Sequence, residues 1–181
     1  MGQSKEEKAI IEKAYKLGYE YERTYRGCGQ CAIAALQDVF DMRDDNTFKA
    51  LTGYAGGGGI TGDAGCGAYV GGILFLSMLK GRERDNFSDP EGIRFDSFAL
   101  ARKLHDKFVA EYGTVICREM HVKLLGRPYY LPDPDEYAKF DNAGAHDTVC
   151  PGVVGNTARW VAEIILEEKL LPEDKLKKLA K

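Results

Sequence analysis

The chain has 181 residues, a formal net charge of −3 and 44% hydrophobic residues. This length favours a single domain over residues 1–181, which buries enough surface to need no disulfide. The acidic balance argues against nucleic acid as a partner, because no Lys/Arg-rich run appears before the last few residues.

Neither a leader nor a membrane segment is indicated. The N-terminal sequence lacks the apolar run of a signal peptide, and Glu6 breaks the myristoylation pattern. The longest uncharged stretch, residues 64–79, is too short to span a bilayer. We therefore expect a cytoplasmic protein with no membrane partner. Thiols stay reduced there, so a set of cysteines more often indicates metal binding or catalysis than structural disulfides.

Hydrophobic residues at helical spacing predict an amphipathic helix over residues 4–25, where Ser4 and Glu7 match a capping box. Two more helices are predicted over residues 28–40 and 44–54. Residues 55–65 contain six glycines and predict a loop. This loop leads into an apolar helix over residues 66–80, which its composition predicts to be buried.

The second half of the chain also has helical patterns. Residues 81–94 predict a surface loop, and residues 126–148, with three prolines, predict an ordered but irregular segment. The remaining predicted helices are residues 95–112, 117–125, 151–168 (opened by Pro151) and a short charged helix in 171–181. We find no strand alternation. The sequence predicts an all-α bundle built around the helices over 66–80 and 151–168, with the glycine-rich loop before the former.

Most of the five cysteines lie where a helix is predicted to begin. They are Cys28, Cys31, Cys66, Cys117 and Cys150. Backbone N–H groups and the helix dipole at such a position favour the thiolate. Cys28 and Cys31 form a CxxC, whereas the cysteines at 31, 66, 117 and 150 lie one per segment. If those four act together, the fold must bring four helix starts to one end of the bundle.

An iron–sulfur cluster is the group that such a site would suit best. Helix N-termini and the N–H groups of the glycine loop would offset its negative charge. We expect Cys31, Cys66, Cys117 and Cys150 as ligands, with Gly58, Gly59 and Gly67 beside the cluster. Taken singly, each of the last three cysteines would more often be an inert core residue than a functional one. The loop lacks the Lys-Ser/Thr ending of a phosphate-binding P-loop.

Three other polar residues near these segments have less specific patterns. His121 and His146 each lie four residues from a cysteine, a spacing that a metal site could use. We interpret both as polar surface or capping histidines. Asp63 is interpreted as an N-cap of the helix that follows the glycine loop.

The cysteine order identifies a family. Cys31, the glycine-rich loop, the segment Cys66-Gly67-Ala68-Tyr69-Val70-Gly71, Cys117 and Cys150 together resemble the C_GCAxxG_C_C family over about residues 20–168. The central motif here is a CGAxxG variant, and Cys28 is additional to the four named cysteines. The resemblance implies a redox role, and some relatives occur in iron–sulfur or haem-containing contexts. It names neither cofactor nor substrate.

Three functions remain open at this point. The first is an iron–sulfur protein for electron transfer or redox sensing, with an unknown redox partner protein. The second is a metal-free thiol–disulfide oxidoreductase in which Cys28 and Cys31 are the catalytic pair. The third is a zinc-stabilised helical module that binds a partner. We favour the first, because a dithiol needs only two cysteines. Long apolar helices are also compatible with a homodimer.

Overall fold

The computed structural model describes residues 4–179, which fold into α-helices joined by short 3₁₀ or π turns. No strand forms within this range, so the predicted all-α class is confirmed. The helices are α1 (Lys5–Tyr25), α2 (Cys28–Phe40), α3 (Asp45–Ala50), α4 (Gly67–Lys80), α5 (Ile93–Tyr112), α6 (Cys117–Leu125), α7 (Pro134–Asn142), α8 (Cys150–Glu167) and α9 (Glu173–Leu179). None of the described helices is long and apolar enough to cross a membrane.

Helix α8 is the centre of the bundle, packing against α1, α2, α4 and α5. Its inward residues Val154, Ala158, Val161 and Ile165 are fully buried. Each larger side chain of this kind contributes about 1.5–3 kcal/mol by leaving water. The predicted bundle around α4 and α8 is confirmed, with α1 lying along α8 as a further close neighbour.

Helix α1 begins as its sequence predicts. Ser4 and Glu7 form the capping box, with each side chain bonded to the other residue's backbone N–H. Its buried residues recur every four positions, at Ile10, Ala14, Gly18 and Glu22. The last of these is a carboxylate on the buried face, and it lies at the functional site described below.

The starts of α2 and α4 lie close together because glycines line their crossing. A Cβ atom on Gly71 would lie 2.6 Å from the carbonyl oxygen of Gly29, a separation that no side chain tolerates. Only glycine permits two backbones to approach this closely. Gly67 is less confined by backbone, because Gly29 N and Tyr54 O lie 3.1 and 3.2 Å from its Cβ position and need give way only slightly. The crossing places residue 28, at the start of α2, next to residue 66, at the start of α4.

The helix predicted over residues 44–54 is shorter than expected. It ends at Ala50 and is followed by a 3₁₀ turn at Thr52–Tyr54. Five consecutive residues, 56–60, then have positive φ angles. Ile60 is the one among them that is not glycine, so its side chain disfavours this backbone conformation. Left-handed backbone costs a non-glycine residue roughly 1–2 kcal/mol, so surrounding bonds must hold this turn. The Ile60 N–H donates to Ala55 O at 2.9 Å, and the Gly62 N–H to Gly56 O at 2.9 Å.

The end of this loop is tied to the start of α6. The Cys66 N–H donates to Val115 O at 2.7 Å, and the Cys117 N–H donates to Ala64 O at 3.0 Å. Asp63 is not the N-cap of α4, because its carboxylate instead binds Arg118 at 2.6 Å. The N-cap position is occupied by Cys66, which makes no side-chain capping bond.

The segment over residues 126–148 is irregular only up to residue 133, so the prediction of an irregular segment is wrong for the rest. It contains α7, whose Asp133 cap accepts bonds from two backbone N–H groups, and a π-helical turn at Ala145–Val149 that continues into α8. Pro134 is compatible with α7 because it lies in the first turn, where its missing N–H has no partner to lose. Around this segment lies a second small apolar cluster, formed by Tyr129, Leu131, Phe140 and Ala145.

Candidate functional site

Four of the five cysteines line one cavity of about 110 Å³ between the main core and the second apolar cluster. Cys28 is the first residue of α2, and Cys66 is the N-cap of α4. Cys117 and Cys150 are the first residues of α6 and α8. The structure therefore brings four helix starts to one site, and three of these cysteines belong to the predicted ligand set.

The fourth cysteine of the cavity is Cys28 and not Cys31. Cys31 lies one helical turn further along α2, where its sulfur donates to the carbonyl oxygen of Arg26 at 3.1 Å. It faces a separate, more open groove between α1 and α2. The two thiols of the CxxC therefore point to different cavities.

Glycines border the cavity, but they are not those that the sequence indicated. The sulfur of Cys28 fills the space beside Gly67, which does not itself line the cavity. A Cβ atom on Gly57 would lie 2.7 Å from the Cβ of Cys117, and Gly56 itself lines the cavity. Gly58 and Gly59 do not line the cavity. The loop thus touches the site through its first two glycines.

Two buried polar side chains in the cavity wall have an atom without a hydrogen-bond partner among the described residues. These atoms are Glu22 Oε2 and His121 Nδ1, on side chains whose residues are 2% and 5% exposed. The other nitrogen of His121, Nε2, lies 3.4 Å from Cys117 Sγ. Leaving such a group unpaired costs about 1–3 kcal/mol. Such atoms call for a further partner, although Cys31 also lies beside the Glu22 carboxyl and acts to lower its pKa.

His121 is therefore not a surface or capping residue, as the sequence suggested. Its ring packs 4.7 Å from the ring of Phe140 and helps to enclose the cavity. His146 is half-buried in the cavity wall, with Nδ1 2.9 Å from a carboxylate oxygen of Asp141. Asp141 also binds Arg26 at 3.2 Å, so this network holds α7 against the end of α1.

Burial dominates the protonation of the site. It raises the pKa of Glu22 to about 7 and of Cys117 to about 12, and it lowers the pKa of His121 to about 4. A hydrogen bond with Cys66, together with burial, raises the pKa of Cys28, and burial raises that of Cys150. The expectation of thiolates favoured by helix starts is wrong for these three cysteines.

The physical reason is that the two effects differ in size. A helix dipole contributes up to about 1 kcal/mol, whereas removing a charge from water costs several. At Cys150 the helix start is not free either, because the π turn precedes it and its N–H donates to Ala145 O. The three thiols are accordingly neutral at pH 7 when nothing is bound to them.

The donor groups surround a space larger than one ion. No three His, Cys, Asp or Glu side chains within residues 4–179 lie close enough together to hold a single metal ion. Apart from Arg26 and His146 the remaining wall is apolar, and Leu131, Tyr137, Phe140 and Val149 of the segment before α8 contribute to it.

A family model described as "Putative redox-active protein (C_GCAxxG_C_C)" matches residues 27–164. The chain belongs to the C_GCAxxG_C_C family. All five cysteines lie within the segment that matches this family, as does His121, whereas Glu22 precedes it. The chain matches no curated protein and no solved structure. The family resemblance drawn from the cysteine order is thus confirmed, and the description of that family is of a redox-active protein.

Proposed function

We propose that this protein holds an iron–sulfur cluster in the cysteine-lined cavity and serves in electron transfer or redox sensing. Cys28, Cys66, Cys117 and Cys150 would be the ligands. The observation that carries the proposal is that four thiols, from four separate helix starts, line one largely apolar cavity. Four cysteines are the usual ligand set of iron–sulfur clusters.

The chemistry of the donor set fits such a group. Each iron of a cluster needs only one or two thiolates from the protein, so the ligands surround the group and do not meet at one point. The raised thiol pKa values are no obstacle, because a coordinated thiol loses its proton to solvent as the metal binds. The unpartnered Glu22 Oε2 and His121 Nδ1 are further evidence that the cavity is built around something.

A bound cluster would supply the ability to take up and release one electron at a time. The chain itself would tune that chemistry through bonds to the ligand sulfurs. His121 Nε2 lies 3.4 Å from the Cys117 sulfur and is placed to donate to it. Such bonds orient the ligands and adjust the reduction potential. The aromatic wall of Tyr137 and Phe140 limits access of water.

A single zinc ion is the less favoured occupant. Structural zinc takes four ligands in a tetrahedron with Zn–S distances of about 2.3 Å. The described residues offer no three donors at such a spacing. Zinc would therefore require the helix starts to move together.

Thiol–disulfide exchange is a second candidate, and the contact between Cys28 and Cys66 favours it. These thiols would give two electrons and two protons to a disulfide on a partner protein. The products would be a Cys28–Cys66 disulfide and two partner thiols. This pair replaces the CxxC pair that the sequence suggested. The neutral state of the Cys28 thiol disfavours it as the attacking nucleophile.

Anaerobic purification followed by iron, sulfide and zinc analysis tests the proposal. We expect a brown protein with iron and acid-labile sulfide in equal amounts and an absorption band that reduction bleaches. Colourless protein that stays free of iron after reconstitution would contradict it. In that case, the protein would be treated with a small-molecule disulfide as oxidant. Alkylation and mass spectrometry would then report whether Cys28 and Cys66 have become linked to each other.

A further inference from the structure

Helix α5 has two opposite apolar faces, and only one of them is covered. The inner face, which includes Leu100, Leu104 and Phe108, packs on the core. The outer face carries Phe95, Phe98 and Val109, which are 59%, 55% and 38% exposed. Single exposed hydrophobic residues are ordinary, but a stripe at helical spacing is typical of an interaction surface.

The two phenylalanines are arranged before any partner arrives. Their rings meet edge to face with centroids 5.9 Å apart, and the guanidinium of Arg94 lies 4.6 Å above the ring of Phe95. Ordered aromatic side chains lose little freedom when they are buried between proteins. They are the residue type that most often dominates the binding energy of an interface.

Two charges complete the stripe. Arg102 and Asp106 follow Phe98 at successive turns of the same face, and both are exposed. Arg102 makes no ion pair with any residue of the described range 4–179. Asp106 contacts only the ring of its neighbour His105 there, at 3.1 Å. The face therefore presents one cation and one anion, one turn apart, to whatever covers it.

This order of residues is complementary to itself. We propose that the outer face of α5 binds the same face of a second copy, with the two helices antiparallel and the twofold axis crossing that face at the height of residue 104. Arg102 of each copy then faces Asp106 of the other, and Ala99 faces Val109. Phe98 faces Ala110, so a large side chain meets a small one. A twofold interface must pair unlike residues in this reciprocal way.

A register shifted by two residues is less favourable. An axis at Arg102 would place the two guanidinium groups against each other without a counter-charge. The antiparallel pairing centred at the height of residue 104 joins opposite charges and also keeps apolar residues together. It lies on α5, whereas the cysteine cavity is lined by residues of α1, α2, α6, α7 and α8 and by the glycine loop.

Sedimentation equilibrium of the intact protein tests the pairing. We expect a dimer for the wild type and a dimerisation constant weakened roughly tenfold or more by Phe98→Ser. Tyr130→Ser removes a similarly exposed aromatic ring, 60% exposed and outside α5, and should leave dimerisation unchanged. A monomeric wild type at all soluble concentrations would overturn the proposal and leave the face to a partner of another kind.

Charge reversal tests the register and does not depend on the phenylalanine variant. Arg102→Asp and Asp106→Arg should each weaken dimerisation, because each sets like charges opposite one another. The double variant should restore it, since it exchanges the two ends of each ion pair. Restoration supports the antiparallel register, and a double variant as weak as the single ones would overturn it. Circular dichroism of each variant checks that these exposed substitutions leave the helices intact.

Discussion

The sulfur of Cys28 occupies the space that a side chain on residue 67 would need. This contact joins the first turn of α2 to the first turn of α4, next to Cys66. Glycine at position 67 is therefore required by a neighbouring cysteine, and its backbone φ is not in the left-handed region. The same glycine places two of the four cavity thiols beside each other.

Replacement of Gly67 by alanine should displace the Cys28 thiol from the cavity. The nearest obstacle is the end of a side chain, so the sulfur can rotate away and the protein should still fold, at a cost of about 1–3 kcal/mol for the crowding. We expect the anaerobically purified Gly67→Ala protein to hold much less iron than the wild type. Gly152→Ala is the matched control, because no atom lies within 4 Å of its Cβ position. Normal iron in Gly67→Ala would contradict the role of Cys28.

Two buried groups should give the metal-free protein opposite responses to pH. The folded-state pKa of Glu22, about 7, exceeds its ordinary value of 4.5, so the folded state binds more protons between these values and the free energy of unfolding falls as pH rises. The folded-state pKa of His121, about 4, lies below 6.5. Between these two pKa values the unfolded state binds more protons than the folded state, so the free energy of unfolding rises with pH.

Single substitutions should separate the two responses. In Glu22→Gln only the histidine remains, and the free energy of unfolding should increase from pH 4.5 to 6.5 relative to the wild type. In His121→Phe it should decrease over the same range. Each slope should approach roughly 1 kcal/mol per pH unit. Urea unfolding with a chelator present measures them, and parallel profiles for all three proteins would contradict the burial of these groups.

The Cys117 thiol should react slowly in the folded, metal-free protein. Its pKa of about 12, against an ordinary 9.0, lowers the thiolate fraction at neutral pH by about a thousandfold. The reaction slows by the same factor, because the thiolate is the nucleophile. Iodoacetamide labelling followed by peptide mass spectrometry should therefore show Cys117 reacting at least that much faster in urea. Labelling of the native protein should also continue to accelerate with pH above 9. Equal rates in both states would refute a buried, neutral thiol.

The sequence pattern predicts most of the helices, because amphipathic spacing and glycine breaks determine α1, α2, α4, α5 and α8 locally. It misses α7, since prolines in that segment signal an irregular chain although Pro134 stands where a helix accepts it. The π turn before Cys150 has no evident sequence signal.

The site is predictable in outline and not in detail. Cysteines at helix starts do converge, but the choice of Cys28 over Cys31 depends on the rotation of α2 against α4, which long-range packing sets. Glu22 did have a signal: it continues the four-residue spacing of Ile10, Ala14 and Gly18 on the buried face. A carboxylate at such a position indicates a buried polar site. The protonation state could not be foreseen, because burial is a property of the fold.

Comparison of Cys28→Ala with Cys31→Ala tests the central claim most directly. Both substitutions remove one thiol from the same helix, and only Cys28 lines the cavity. Iron and sulfide content per folded chain should be measured after anaerobic purification, with circular dichroism as the check on folding. The account predicts wild-type iron and absorption for Cys31→Ala and loss of both for Cys28→Ala. Retention by Cys28→Ala together with loss by Cys31→Ala would contradict it.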